Sequence, residues 1–186
     1  VRKMHSTRRD AFKMVNGERI SEITISKDEL THSPVAKHEP REISNPTKYD
    51  LNIRIAQFIA GPHLHADLLE AAQNSGYSAI IIQGTGLGHL PIENPTGDAP
   101  ENDKLAEVIK NTSIPIIIAN QCINGPVDLN VYSKGRNQQE IGVLGHGSTC
   151  SPEALLTKIH WALSNRKGLE VLSQNLCGEN QSILLS

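Results

Sequence analysis

Ala79-Ile80-Ile81-Ile82-Gln83-Gly84-Thr85-Gly86-Leu87-Gly88-His89-Leu90-Pro91 joins four consecutive apolar residues directly to a turn with glycine at every second position. An uninterrupted apolar run implies burial on both faces, as in a strand inside a parallel sheet. Glycines at 84, 86 and 88 let the chain reverse sharply and leave backbone N–H groups open. Upstream, Leu64, Leu68, Leu69 and Ala72 recur at helical spacing and Gly76 is a natural stop. Before them, Leu51, Ile53, Ile55, Phe58 and Ile59 suggest a strand entering the core. Downstream, a loop from Gly84 to Pro100 leads to a helix from about Asn102 to Lys110 with Leu105, Val108 and Ile109 on one face. Ile114-Pro115-Ile116-Ile117-Ile118-Ala119 is a second buried strand, with proline near its start, where a missing N–H costs least. Ser151, Pro152 and Glu153 open a last helix with the stripe Leu155, Ile159 and Ala162, and a short helix follows at Leu169 to Ser173. Strand and helix alternate three times, which predicts an α/β fold: a three-layer domain with a short, mostly parallel sheet and helices on both faces.

The remainder divides the chain into an arm and linker at 1–47 and the α/β domain at 48–186. The arm is basic and polar. Arg2, Lys3, Arg8 and Arg9 suggest a nucleic-acid patch, but Asp10 interrupts the run and no aromatic platform accompanies it, so a solvated or docking arm is the better reading. A weak strand pair is expected between Arg19 and Ser26, and Thr31 to Lys48 reads as a linker rich in Pro, His, Ser and Asn. The chain opens Val1-Arg2-Lys3-Met4-His5, with no initiating methionine, which suggests a piece of a longer protein.

Bulk composition excludes several classes. The 186 residues are 38% apolar and 20% charged, the balance of a globular domain, and only 3% are aromatic, so the core must be aliphatic. A net charge of −2 lacks the clustered positive field that phosphate-backbone binding needs. No apolar run of membrane-spanning length and no signal segment is seen. Three cysteines, Cys122, Cys150 and Cys177, with no CxxC pair, argue against a disulfide framework and fit a reduced, cytoplasmic protein.

In an open parallel sheet, ligands bind beyond the carboxyl ends of the strands. Two loops stand there: Gly84 to Pro91, and Asn120-Gln121-Cys122-Ile123-Asn124-Gly125. A dinucleotide fingerprint needs glycine at 89, which is His89, and no Gly-Lys-Ser/Thr is present, so nucleotide binding is disfavoured. A tight turn with no ligand is the plain alternative. Cys122 follows a strand, with His89 and His146 available as partners for a Cys-His nucleophile, but its flanks do not form a Gly-x-Cys-x-Gly elbow, and a small buried residue is the simpler reading. Eight histidines invite a metal site, yet His63 and His65 are two apart and no HExxH spacing appears; no metal ligand is assigned.

The two loops resemble the type I glutaminase/asparaginase family. Gly84-Thr85-Gly86-Leu87-Gly88-His89 is similar to its Gly-Thr-Gly-x-Gly segment. It is closer still to the Gly-Thr-Gly-Leu-Gly-His of the D-subunit branch of archaeal tRNA-dependent amidotransferases. The stretch Gln121-Cys122-Ile123-Asn124-Gly125-Pro126-Val127 continuing to Asn130-Val131-Tyr132-Ser133-Lys134-Gly135-Arg136 resembles that branch's Gln-Cys-x-x-Gly-x-Val-x-x-Asn-Val-Tyr-Ser-x-Gly-Arg. Arg8-Arg9-Asp10-Ala11-Phe12 also looks like that branch, Pro152-Glu153 and Lys158 resemble the final helix, and Ser173-Gln174-Asn175-Leu176 looks more like a bacterial type I asparaginase tail. The sequence departs from the family at Gly145-His146-Gly147-Ser148-Thr149-Cys150, where acidic residues are more common.

The resemblance implies an asparaginase C-terminal domain fold and an enzyme that hydrolyses a side-chain amide through a threonine nucleophile. In the D-subunit branch, glutamine is the substrate and the ammonia passes to a partner subunit, which uses ATP and magnesium to convert Glu-tRNA(Gln) to Gln-tRNA(Gln). The catalytic Gly-Gly-Thr and Thr-Asp-Thr motifs belong to an N-terminal domain and are absent here, so no residue of this chain is assigned a catalytic role and no cofactor is expected in it. What the resemblance implies for this chain is a second wall of the site that closes over substrate and helps form a homodimer. Thr85, His89 and Gln121 are the candidate substrate-binding residues, and Gly84, Gly86, Gly88, Cys122 and Gly125 form the structural rim. The alternatives are the C-terminal domain of a cytoplasmic type I L-asparaginase and, from another class, a non-catalytic ligand-binding or interaction module.

Overall fold

The computed structural model describes residues 1–8, 10–17, 21–25, 29–34 and 47–181, which fall into two units, Val1–Pro46 and Thr47–Ser186. The first unit is built from two antiparallel pairs. β1 (Arg2–Lys3) pairs with β2 (Phe12–Lys13), and β3 (Ser21–Ile25) pairs with β4 (Leu30–Pro34), Ser21 opposite Pro34 and Ile25 opposite Leu30. Two expectations change here. Arg2 and Lys3 belong to a strand and not to an irregular arm, and Thr31 to Pro34 form β4 where composition predicts a linker. Cross-strand pairing supplies the order that composition does not advertise, and Pro34 is tolerated because it ends the strand. Arg9, Arg19, Ser26 and the linker positions 35–46 lie outside the described residues.

The second unit carries β5 (Ile55–Ile59), β6 (Ala79–Gly84) and β7 (Ile116–Asn120), paired parallel in that order, with Ile55 opposite Ala79 and Ile80 opposite Ile116. β5 begins later than the apolar spacing suggests. Leu51 and Ile53 belong to the turn before it, where the Asp50 carboxylate accepts from the Asn52 N–H at 3.0 Å and the Asp50 carbonyl from Ile53 at 3.2 Å. β7 likewise starts after Pro115, and its outer edge is closed by Leu144, whose N–H and C=O bond Ile116 and Ile118 at 2.9 Å each.

α1 (Ala66–Asn74), α2 (Pro100–Asn111), α3 (Ser133–Glu140) and α4 (Pro152–Ser164) complete the unit with a 3-10 turn at Leu169–Ser173. α1 ends as its glycine demands: Gly76 has φ +76°, its N–H reaches the Gln73 carbonyl at 3.0 Å, and Tyr77 reaches Ala72 at 3.2 Å. α4 starts on Ser151, whose hydroxyl accepts from the Ala154 N–H at 3.2 Å. α2 opens at Pro100, earlier than its apolar spacing predicts, because proline suits a first helical turn. α3 departs from expectation altogether: Ser133-Lys134-Gly135-Arg136-Asn137-Gln138-Gln139-Glu140 has no apolar stripe to betray a helix.

Alternate residues of the sheet face opposite layers. Ile80, Ile82, Ile116 and Ile118 pack against Leu69 and Ala72 of α1 and Leu105 and Ile109 of α2. Ala79, Ile81, Ile117 and Ala119 pack against Leu155 and Ile159 of α4 and against Leu172. Both faces are therefore buried, the three-layer arrangement that the continuous apolar runs imply. Among the described residues no helix is long and apolar enough to cross a membrane.

The tail is tied to α4 by a buried ion pair. Lys158 Nζ lies 2.7 Å from Glu179 Oε1, with 3% and 8% of the two side chains exposed, and also donates to the Leu172 and Gln174 carbonyls. Beside it the buried Asn180 accepts from Thr149 N–H at 3.0 Å and donates to the Leu172 and Gln174 carbonyls at 2.8 and 3.0 Å. Burial alone would push the Glu179 carboxyl up, but Lys158 and the Cys177 and Leu176 N–H groups together hold it down at about 2. A carboxyl depressed in the folded state stabilises it above its unfolded value of 4.5, and that contribution is lost as pH falls from there through about 2. Glu179→Gln strands a buried ammonium and is expected to cost about 3–5 kcal/mol in urea unfolding at pH 7. The deficit relative to wild type should shrink as pH drops through the same window.

Candidate functional site

The carboxyl ends of all three strands meet at one rim. There Gly84 closes β6, and the next five residues fold back on themselves. Thr85 N–H donates to the His89 carbonyl at 3.0 Å, His89 N–H returns to Thr85 at 2.9 Å, and the Thr85 hydroxyl donates to the His89 carbonyl at 3.2 Å. The glycines serve different ends. Gly86 turns at φ +53° in the open, whereas a Cβ on Gly84 would stand 2.4 Å from the Gly88 carbonyl carbon. Gly88, at φ +106°, faces the core, where a Cβ would meet Val127 at 2.8 Å and Ile118 at 3.0 Å.

The second loop lies against the first. Gln121 N–H donates to the Gly84 carbonyl at 3.2 Å, and the Cys122 thiol points to the Gly86 carbonyl at 3.7 Å. Asn120 shapes this loop by accepting from Cys122 N–H at 2.7 Å and donating to the Pro126 carbonyl at 3.2 Å. Gly125 turns it at φ +97°. Residues 127–130 complete the rim, with Asp128 N–H on the Leu87 carbonyl at 2.9 Å. They are held in turn by the 145–150 loop through Val127 N–H to Ser148 (2.8 Å) and Leu129 N–H to His146 Nδ1 (3.1 Å).

The three candidate binding residues thus sit at one rim with different freedom. Thr85 is exposed, with its hydroxyl proton turned to backbone. Gln121 spends its amide N–H groups on the Ala60 and Gln83 carbonyls, at 2.9 and 2.8 Å, and so ties the ends of β5 and β6 together. His89 is half-buried, tilted against the Tyr132 ring at 5.5 Å, and its Nε2 is buried with no hydrogen-bond partner among the described residues. Burial holds the imidazole below its ordinary 6.5, and Lys134 pushes the same way against Glu93. The ring is therefore mostly neutral at pH 7.

Cys122 is exposed, which corrects the expectation of a small buried residue, and its bond to a carbonyl gives it no base. His146, one of its two candidate bases, is engaged with Leu129 and with the Asn130 side chain at 3.0 Å. The rim gathers hydrogen-bonding side chains, and among the described residues it does not pair a nucleophile with a proton acceptor. One further residue belongs to the rim without any sequence signal. Gln138 is fully buried and bonds the glycine turn from α3. It is an amide in a polar segment, which no periodicity singles out.

The family profile described as the glutaminase/asparaginase C-terminal domain matches residues 54–175. The D subunit of the Methanococcus vannielii glutamyl-tRNA(Gln) amidotransferase is 33% identical over 193 residues, spanning 100% of this chain and 43% of that protein. The D subunit of the Pyrococcus abyssi amidotransferase is 30% identical, spanning 96% of this chain and 40% of its own length. The chain therefore covers less than half the length of these curated relatives. Among solved structures, the thermostable L-asparaginase from Thermococcus kodakarensis superposes with a TM-score of 0.73 at 28% identity, over 97% of this chain and 53% of that one. L-asparaginase I from Vibrio cholerae shares the fold at a TM-score of 0.57 and 20% identity, over 88% of this chain and 54% of that one.

Gly84→Ala should destabilise the domain by about 3 kcal/mol, the upper end for an overpacked position, because the obstacle is backbone. In an NMR titration, His89 should titrate below 6.5, and Lys134→Ala should raise its midpoint.

Proposed function

The chain belongs to the glutaminase/asparaginase C-terminal domain family, and we propose that it forms part of the glutaminase subunit of a tRNA-dependent amidotransferase. In this reading the subunit releases ammonia from glutamine for conversion of Glu-tRNA(Gln) to Gln-tRNA(Gln), and this chain supplies the wall that closes over the substrate. The observation that carries it is the extent of the match. Relatives that are amidotransferase D subunits align over the whole chain, including residues 1–53, which lie before the family profile begins.

The rim suits a binding wall. The half-buried, neutral imidazole of His89 and the exposed Thr85 side chain stand side by side at the rim, where each can meet a polar substrate group; the buried Nε2 faces inward, so the contact falls to the rest of the ring. The nucleophile and its base come from an N-terminal catalytic domain, and a homodimer brings wall and nucleophile together. ATP and magnesium serve the partner subunit and are not bound by this chain. The compartment is cytoplasmic. A second reading, the C-terminal domain of an L-asparaginase, is favoured by the likeness to the Thermococcus kodakarensis enzyme.

The two readings separate in one assay on the complete subunit. Ammonia release from glutamine that rises when the partner subunit and Glu-tRNA(Gln) are added supports the amidotransferase. Rapid hydrolysis of free asparagine with no partner supports the asparaginase. His89→Ala in the same protein is expected to raise KM for glutamine about three- to tenfold, the worth of one hydrogen bond, with kcat little changed. Unchanged kinetics would remove His89 from the site.

A further inference from the structure

We propose that Gln138 is a positioning residue for the rim, setting the orientation of His89 by clamping the backbone on both sides of it. The inference rests on the reading of the rim as a substrate wall.

Gln138 is 0% exposed. Its Oε1 accepts the Leu90 N–H at 2.8 Å, and its Nε2 donates to the Gly88 carbonyl at 3.0 Å. Those two groups flank residue 89. The remaining two, the His89 N–H and carbonyl, are bonded to Thr85. All four backbone polar groups around His89 are therefore engaged, two by the turn itself and two by one side chain from α3. The backbone of residue 89 cannot rotate without breaking a hydrogen bond. The ring then retains only its side-chain torsions, and the Tyr132 ring packs beside it.

The chemistry of the clamp is specific. The site requires one acceptor and one donor on a short fork, which a carboxamide supplies and a carboxylate does not. Gln138 is buried beside Leu90 in the layer that also holds Val127, Leu129 and Val143, where an unsatisfied amide would be costly. The approach is permitted by Gly135 three residues earlier, because a Cβ there would stand 2.4 Å from the Leu129 carbonyl oxygen. Gly135 and Gln138 are the buried residues of an otherwise polar helix, so the buried side of α3 carries the clamp and the glycine that seats it.

The test uses Gln138→Met and Gln138→Leu, both uncharged and similar in size but without the fork. In this chain, the His89 imidazole is followed by NMR titration, with the backbone amide resonances of α4, on the opposite layer, as an internal control. The expected result is a His89 midpoint that rises toward 6.5 in both variants while the α4 resonances stay in place. An unmoved His89, or a change that spreads through α4, overturns the proposal. If Gln138→Met does not fold, Gln138→Leu is read by the same criterion. In the complete subunit, Gln138→Met should raise KM for glutamine without a matching fall in kcat, and Gln138→Met/His89→Ala should match His89→Ala alone. Multiplying KM effects would mean that Gln138 acts elsewhere and would also overturn it. If His89→Ala leaves KM unchanged, the substrate-wall reading fails, and the His89 titration still decides whether Gln138 positions the turn.

Discussion

The middle strand has no face turned to water. Ala79, Ile80, Ile81 and Ile82 are each 0% exposed, and successive side chains enter opposite layers. A strand enclosed in this way needs helices above and below, and short parallel pairing needs crossovers to provide them. α1 and α2 cover one layer and α4 the other, so the helix positions follow from the burial of β6 on both faces. At about 1.5–3 kcal/mol for each fully buried aliphatic side chain, the isoleucines of β6 and β7 alone contribute on the order of 10 kcal/mol to the unit.

That burial also sets where the rim lies. A strand with no exposed face must leave the core abruptly, and at Gly84 it does so by doubling back within the width of one missing Cβ. The turn then becomes a hub. The 120–125 loop, the 127–130 segment and α3 each bond it through backbone or a buried amide. The 145–150 loop supports the second of these and is itself held by Asn180 and the tail. The Lys158–Glu179 pair thus secures the outermost member of a hydrogen-bonded series that ends at the glycine turn.

Family membership and rim geometry bear on function in different ways. Membership comes from the profile match and supplies the reaction class by likeness. Geometry bears on the role within that class. The rim carries hydrogen-bonding groups at fixed positions, a neutral imidazole and an exposed hydroxyl, but no activated nucleophile. The chain spans about two-fifths of these curated relatives.

The order of elements in the α/β unit was legible because continuous β-branched runs, helical spacing in α1, α2 and α4, and the Ser151 and Gly76 end signals are all local. So was the pairing of the two rim loops, since strands of one parallel sheet must deliver their ends to the same side. β4 and α3 were not legible. Thr31 to Pro34 pair with Ser21 to Thr24, and α3 has no apolar stripe but seats on the fold through Gly135 against Leu129 and through the buried Gln138. The same limit applies to individual side chains. Sequence alone could place Gln121, Cys122 and His89 in the right loops. Only the folded chain decided that the Gln121 N–H groups join two strand ends, that Cys122 has a carbonyl and no base, and that Gln138, far along the chain, holds both sides of His89. Local pattern determines which residues are buried, whereas hydrogen-bond partners across the fold depend on distances that no local pattern contains.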